Sequence, residues 1–416
     1  MDIDARGDHA NAGVPTSELV SGLYIGQIFV GIAITLPAFL LGAQIFSALG
    51  LGSGLAVLVI AAALLFCLSV LTTRVGASTR LSTYKIIELT FGAAAARAFN
   101  TVLWFVMLGW FAITASLFSS ALGQMLTLLG AVTLPLFIYK IFVCAMTIGF
   151  AIYGFKAIDR LSRLAVPLLL LVLVVTFYFL LKDVSLETLS SSITPSAAIS
   201  SIGAGVSVMV GAFMVGIVIA PDMARFARSP NDAFIASLMS YGSGSVIVMA
   251  LAGIPALATG SADFVENVAS IGFAAPALAV IVFATLTTNV NTLYSVSLSA
   301  DRVIEGYSSK ARVLSAGAVG ALMSILSIEN YFVPFLLILS MAIPPIAGVY
   351  ATKYFSDNGS WGDTTKPFQL DAIAAWAVAT GVAAITLHTP LSLTTAPAID
   401  GFLVACAMSY ALKRFA

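Results

Sequence analysis

Apolar runs of about 20 residues, the length an α-helix needs to cross a hydrocarbon core of roughly 30 Å, follow one another along nearly all of this 416-residue chain. A chain built this way lacks the polar surface to enclose those runs in water, so it lies in a bilayer. Twelve spans are predicted, over residues 18–48, 51–73, 97–124, 131–153, 163–182, 198–220, 233–257, 270–297, 311–327, 330–352, 370–388 and 396–412. The runs are continuous and do not alternate with period two, so the expected structure is an all-α polytopic membrane protein rather than a β-barrel. With 60% hydrophobic and 9% charged residues, the composition excludes a soluble globular domain.

Short cytoplasmic loops collect Lys and Arg. Of the 19 basic residues, all but Lys140 and Lys182 fall on one side of the predicted spans, which requires an even number of crossings and places both termini in the cytoplasm. The expected location is the plasma (inner) membrane, multi-pass. The first 17 residues are polar, and the apolar run that follows is too long for the core of a cleavable signal, so the first span is the expected membrane address. Lys140 is expected to snorkel toward the outer interface. Cys67, Cys144 and Cys406 stand singly in apolar spans and read as small core hydrophobes. The polar connections near 74–96 and 353–369 read as loops with one amphipathic turn.

Two of the spans are interrupted. Residues 18–48 carry FVGIAITLPAFLLGA around Gly31 and Pro37, and residues 198–220 carry MVGAFMVGIV around Gly211 and Gly216. Glycine weakens a helix and proline breaks its hydrogen-bond ladder. In lipid such breaks survive where the freed backbone groups line a cavity or coordinate something. The predicted organisation is a cytoplasmic tail (1–17), a first repeat of five spans (18–182), a second repeat of five (198–352) and a terminal pair (370–412). An odd number of spans per half inverts the second repeat against the first, the five-plus-five LeuT-type architecture with broken first and sixth helices. The plainer reading of Gly31 and Gly211 is close helix packing.

Ionisable groups inside a membrane usually mark proton or ligand paths, yet no acidic residue falls centrally in a predicted span. Neutral oxygens are available instead in ATLTTNVNTLY, residues 284–294. Helical spacing puts Ala284, Thr287, Thr288 and Asn291 on one face. Together with carbonyls freed around Gly31 and Ile34, that face can offer hard oxygen ligands to a monovalent ion, and Na⁺ fits as coupling ion; interhelical hydrogen bonding is the simpler use of the same groups. Trp110 sits mid-way along the third span and Phe213 beside the break at Gly211. A flat heterocycle stacked between them would bury its faces; core packing is the alternative for each ring.

The motifs GWF (109–111), VGAF with APDMARFARSPNDA (210–233), TTNVNTLY (287–294) and AIPPIAGVY (342–350) resemble those of the nucleobase:cation symporter (purine/cytosine permease) family over most of residues 20–410. The resemblance implies twelve helices and Na⁺-coupled uptake by alternating access. It assigns substrate stacking to Trp110 and Phe213, with Gly211 beside them, and the sodium ligands to Gly31, Ile34, Ala284, Thr287 and Thr288. The sequence departs from the family at the substrate's polar edges. Met107 replaces a glutamine, Ala212 and Val215 replace serines flanking the phenylalanine, and Ala284 replaces an asparagine. Each buried hydrogen bond left unmade penalises a polar base by about 1–3 kcal/mol, so the expected substrate is not cytosine but another flat nucleobase-like compound: a purine, a less polar pyrimidine or a hydantoin-like ring. The expected partners are that small molecule and the lipid bilayer, with no nucleic acid. Proton coupling or uncoupled exchange on the same fold is the alternative. An enzyme is not expected, because His9 and His388 fall in the tail and a loop and no span carries an acid, base or nucleophile constellation.

Overall fold

The computed structural model describes residues 13–131, 133–153, 155–191, 196, 199–272, 308–359, 361 and 366–413, together with 282, 285–286, 288–290, 292–293 and 296. The described chain is helical. In order it forms α1 (Gly22–Ala33), α2 (Leu36–Thr79), α3 (Thr83–Phe91), α4 (Ala93–Leu128), α5 (Leu136–Tyr153), α6 (Phe155–Leu181) and α7 (Leu186–Ser191). Then follow α8 (Ile202–Val218), α9 (Pro221–Ala224), α10 (Pro230–Ser237), a π-helical turn (Leu238–Gly244), α11 (Ser245–Thr259), α12 (Phe264–Ser270) and α13 (Ser309–Ile325). The chain closes with α14 (Phe332–Ala342), α15 (Pro344–Ser356), α16 (Leu370–His388) and α17 (Pro397–Leu412).

Six helical stretches among the described residues are long and apolar enough to cross a membrane: Leu36–Thr79, Ala93–Leu128, Ile202–Ala224, Pro230–Thr259, Ile328–Ser356 and Leu370–His388. Four shorter apolar helices accompany them, Gly22–Gly31, Leu136–Ile152, Pro167–Leu181 and Pro397–Leu412. The first two predicted spans lie on α1 and α2: the chain breaks between them at Ile34–Thr35, within the first span, and α2 is kinked at Gly50, where φ is +76°, between the predicted end at 48 and the next start at 51. The predicted eighth span (270–297) lies largely outside the described residues. The connection near 74–96 holds more than one amphipathic turn. Ser82 accepts from the Lys85 amide to start α3, which buries Thr83, Ile86, Ile87, Thr90 and Phe91. That apolar stripe at spacings of three and four is what makes the segment a helix on the bundle rather than a loop.

Helices start where a hydroxyl or carboxylate at the N-cap takes up an orphan amide. Ser21 does so for α1, Ser201 for α8, Ser229 for α10, Asp263 for α12 and Ser308 for α13. The APDMARFARSPNDA segment is built from such contacts. Asp222 Oδ1 accepts from the Thr83 amide at 2.7 Å and Asp232 Oδ1 from the Gly22 amide at 2.7 Å, while Ser229 Oγ donates to Asp232 Oδ2. Val20 adds a two-way backbone bridge to Phe226 and Arg228. The start of α1 is thereby tied to the connection between α8 and α10. Asp232→Ala leaves the Gly22 amide without its acceptor and is expected to cost about 1–3 kcal/mol, read as a lowered midpoint of thermal unfolding in detergent, with Asp232→Asn losing less because one acceptor oxygen remains.

Two expectations about single side chains change. Lys140 does not snorkel. Its side chain is 2% exposed and pairs with Glu329 at 2.6 Å, because nearby carbonyl and hydroxyl oxygens complete its donor set in the interior. Cys144 is buried and Cys406 partly so, but Cys67 lies exposed on α2 and is not a core residue.

Candidate functional site

The first break is present. Helix α1 ends with Ile34 N–H bonded to Val30 O at 3.1 Å, and the chain runs through Ile34 (φ −86°, ψ 82°) and Thr35 (φ −141°, ψ 154°) before α2 begins on Leu36–Pro37. A helix stopped there leaves the carbonyls of Gly31, Ile32, Ala33 and Ile34 without intrahelical donors. Pro37 enforces the stop, because it has no N–H to offer Ala33 O. Ile34 is buried in a cluster with Leu36, Phe39, Trp104, Leu108, Phe111, Leu286 and Val290. The break therefore shares one apolar core with α4 and with the described part of the predicted eighth span.

The second interruption is elsewhere than expected. Helix α8 runs without a break through Gly211 and Gly216 to Val218. The ladder tightens only at Ile219–Ala220, where Ala220 N–H bonds to Ile217 O at 3.2 Å, since Pro221 cannot supply the α-helical donor. The Val218 carbonyl is taken up by Tyr350 Oη at 3.2 Å, so the tyrosine of AIPPIAGVY satisfies this disturbed turn from α15. Gly211 serves close approach instead: an added Cβ would overlap the Leu336 carbonyl oxygen. Gly216 faces the hydroxyl of Tyr241, which an added Cβ would meet at 2.7 Å.

Trp110 and Phe213 belong to the same core but not to one stack. Trp110 meets Phe332 and Phe335 edge-on, with ring centroids 6.1 and 5.8 Å away. Phe213 meets Tyr241 edge-on at 6.1 Å, and Tyr241 in turn meets Phe29 of α1 at 6.1 Å. No ring contact joins Trp110 to Phe213 among the described residues. What links their helices is α14. Phe335 lies on Gly109, where an added Cβ would sit 2.9 Å from the ring, and the backbone at Leu336 lies on Gly211. GWF is thus a glycine that seats one ring and a tryptophan that meets its edge. Met107, Ala212 and Phe213 line the same core partly buried, and Val215 is fully inside it; all are carbon-faced, as their residue types require.

Of the predicted sodium ligands, Gly31, Ile34 and Thr288 are described, whereas Ala284 and Thr287 lie outside the described residues, as does Asn291. Thr288 O accepts from Thr292 Oγ1 at 3.0 Å. Asn289 is not among these predicted ligands, yet its side-chain oxygen and nitrogen are both buried with no hydrogen-bond partner among the described residues. Its presence in TTNVN was the available signal, but helical spacing set it off the chosen face. Phe332, Phe335 and Tyr241 were also missed. Tyr241 lies in the π-helical turn, an irregularity that often accompanies function, and nothing in local composition announces either that turn or the aromatic contacts.

Apolar helices long enough to cross a membrane, together with α1 stopped inside the apolar core, fit the class of polytopic membrane transporters. Residues 23–360 match the permeases for cytosine/purines, uracil, thiamine and allantoin, and the chain belongs to that family, the nucleobase:cation symporters. The cytosine permease of Escherichia coli (strain K12) is 26% identical over 316 residues, covering 74% of this chain and 72% of that protein. The fold is similar to Mhp1 in its inward facing conformation, with TM-score 0.84 and 19% identity over 97% of this chain and 93% of that one. It is similar also to Mhp1, a nucleobase-cation-symport-1 family transporter, in a closed conformation with bromovinylhydantoin bound, with TM-score 0.81 and 19% identity over 98% and 95%. A Na⁺-coupled sialic acid symporter shares the fold at TM-score 0.68 and 12% identity over 99% and 92%. The protein is a transporter and not an enzyme.

Proposed function

We propose that this protein is a Na⁺-coupled symporter of a nucleobase-like flat heterocycle, a purine, pyrimidine or hydantoin-like ring, working by alternating access in the plasma membrane with both termini cytoplasmic. The observation that carries this reading is the stop of α1 at Ala33 inside the apolar core, which leaves carbonyls at Gly31 and Ile34 without helical donors. In hydrocarbon such groups are expensive unless something uses them, and a monovalent cation has the chemistry to do so. Carbonyls of Gly31, Ile34 and Ala284 with the hydroxyls of Thr287 and Thr288 would form its oxygen shell, the ion travelling as co-substrate. The heterocycle would lie against Trp110, with Phe213 lining the same core, and the amide of Asn289, which has no hydrogen-bond partner among the described residues, would be available to its polar edge. The carbon-faced Met107, Ala212 and Val215 favour a ring less polar than cytosine. The family supports transport of a nucleobase-like compound, and the proposed frame is the twelve-span inverted repeat, its sixth-helix irregularity moved to Ile219–Ala220.

Uptake of labelled adenine, uracil and hydantoin into proteoliposomes, with and without an inward sodium gradient, tests the reading. Sodium-stimulated accumulation of one of them is expected. Thr288→Val is expected to weaken sodium stimulation about tenfold or more, from the roughly 1.5–3 kcal/mol of a hydrogen-bond-strength contact to a charged group. Accumulation driven by acid outside and indifferent to sodium would establish proton coupling instead, and exchange without net accumulation would establish an uncoupled carrier.

A further inference from the structure

The Lys140–Glu329 pair is the one buried ion pair among the described residues whose lysine is essentially inaccessible, and it sits where several helices meet. All three donors of the ammonium are used: Ser324 O at 2.8 Å, Ser327 Oγ at 3.1 Å and Glu329 Oε1 at 2.6 Å. Ser324 is in the last turn of α13, whose terminal carbonyls attract a cation. Ser116 of α4 joins the same point, its Oγ 2.8 Å from Ser324 Oγ. Ser327 has φ +59°, a left-handed backbone conformation that a non-glycine residue holds only when its surroundings insist; Lys140 bonds its hydroxyl. Glu329 lies in the short turn Ile328–Tyr331, and the next residue begins α14.

One joint therefore fixes two things at once. Through Ser116 it holds the helix that carries Trp110. Through Glu329 it holds the start of the helix that presents Phe332 and Phe335 to Trp110. We propose that Lys140 and Glu329 are positioning residues for the aromatic wall of the substrate site: the pair sets where α14 begins and so how Phe332 and Phe335 meet the edge of Trp110. The inference rests on the reading of Trp110 as the substrate's platform, but its test needs no substrate. Removing one member strands a buried charge, which is destabilising, whereas replacing both by apolar residues of similar size often is not. The positional tie, unlike the fold, is lost in both cases.

The full-length protein is labelled biosynthetically with 5-fluorotryptophan, which gives one ¹⁹F resonance for each of its four tryptophans, and Trp110→Phe identifies that of Trp110. In Glu329→Ala, and in Lys140→Met/Glu329→Leu where the single variant does not fold, the Trp110 resonance is expected to shift and broaden while those of Trp361 and Trp376 stay in place and report the intact fold. Glu329→Gln, which keeps an acceptor oxygen toward Lys140, is expected to bring the Trp110 resonance back toward its wild-type position. A Trp110 resonance unmoved in a folded Glu329→Ala or double variant overturns the proposal. Loss of the fold in every variant, including Glu329→Asp, also overturns it, because the pair would then only hold the protein together. Failure of Trp110→Ala to alter heterocycle binding would instead strike the substrate reading and leave the positional tie standing.

Discussion

Gly211→Val is expected to deplete the folded protein, and Gly211→Ala to destabilise it clearly, whereas Gly216→Ala is tolerated better. The three differ in what a new side chain would strike. At Gly211 an added Cβ would overlap the Leu336 carbonyl oxygen and come within 3.2 Å of Ser340 Cβ. These atoms belong to α14, so relief requires the whole helix to retreat. Overpacking of a tight core costs about 1–3 kcal/mol and more where the obstacle is backbone, a large part of a stability of roughly 5–15 kcal/mol. At Gly216 the obstacle is the hydroxyl end of Tyr241, a side-chain tip that can turn aside. Size-exclusion profiles and thermal unfolding in detergent rank the three variants. If Gly211 were a hinge rather than a packing contact, Gly211→Ala would keep its unfolding temperature and lose only transport.

The contrast between the two interrupted helices shows what a sequence of this kind discloses. At α1 the break was legible because proline leaves no choice: Pro37 lacks the donor that Ala33 O needs, and the helix stops just before it. Glycine carries no such compulsion. Gly211 and Gly216 permit a break or a close approach with equal ease, and which one occurs depends on whether another helix arrives, here α14 over Gly211. The same reasoning applied to Pro221 would have found the tightening at Ile219–Ala220. Helices were legible wherever apolar length or periodicity was strong, as in α4 and α16. The nine-residue α3 was overlooked because its charged residues masked a short apolar stripe. Trp110 was legible as a centrally placed aromatic in GWF, but its actual neighbours, Phe332 and Phe335, come from more than 200 residues downstream. Lys140 shows the same limit. A lone lysine near a span end looks like a snorkelling side chain until the fold brings Glu329 and the end of α13 to it.

Trp110→Ala is expected to weaken heterocycle binding by roughly 5- to 150-fold, the equivalent of the ~1–3 kcal/mol that stacking on one aromatic ring contributes. Two effects separate in this variant and need separate readouts. Truncating a partly buried tryptophan removes the edge partner of Phe332 and Phe335 and leaves a cavity, which in a core costs about 3–5 kcal/mol, so the unfolding temperature falls whether or not Trp110 touches substrate. Binding to the folded fraction does not have to follow. Trp110→Phe divides the two: it keeps an aromatic face at the same depth, and is expected to lose less than tenfold in affinity while still giving up much of the packing. Phe213→Ala supplies the comparison, since Phe213 faces Tyr241 and makes no ring contact with Trp110. If the heterocycle bridges the two rings, both alanine variants lose affinity and their losses are non-additive in the double variant, because each loses the same sandwiched ligand. If it rests on Trp110 alone, Phe213→Ala keeps near wild-type affinity. Isothermal titration with adenine, uracil and hydantoin on each purified variant reads the outcome. Unchanged affinity for every ligand that binds the wild type, in a folded Trp110→Ala protein, would reduce Trp110 to the wall of a core and move the substrate site elsewhere in the bundle.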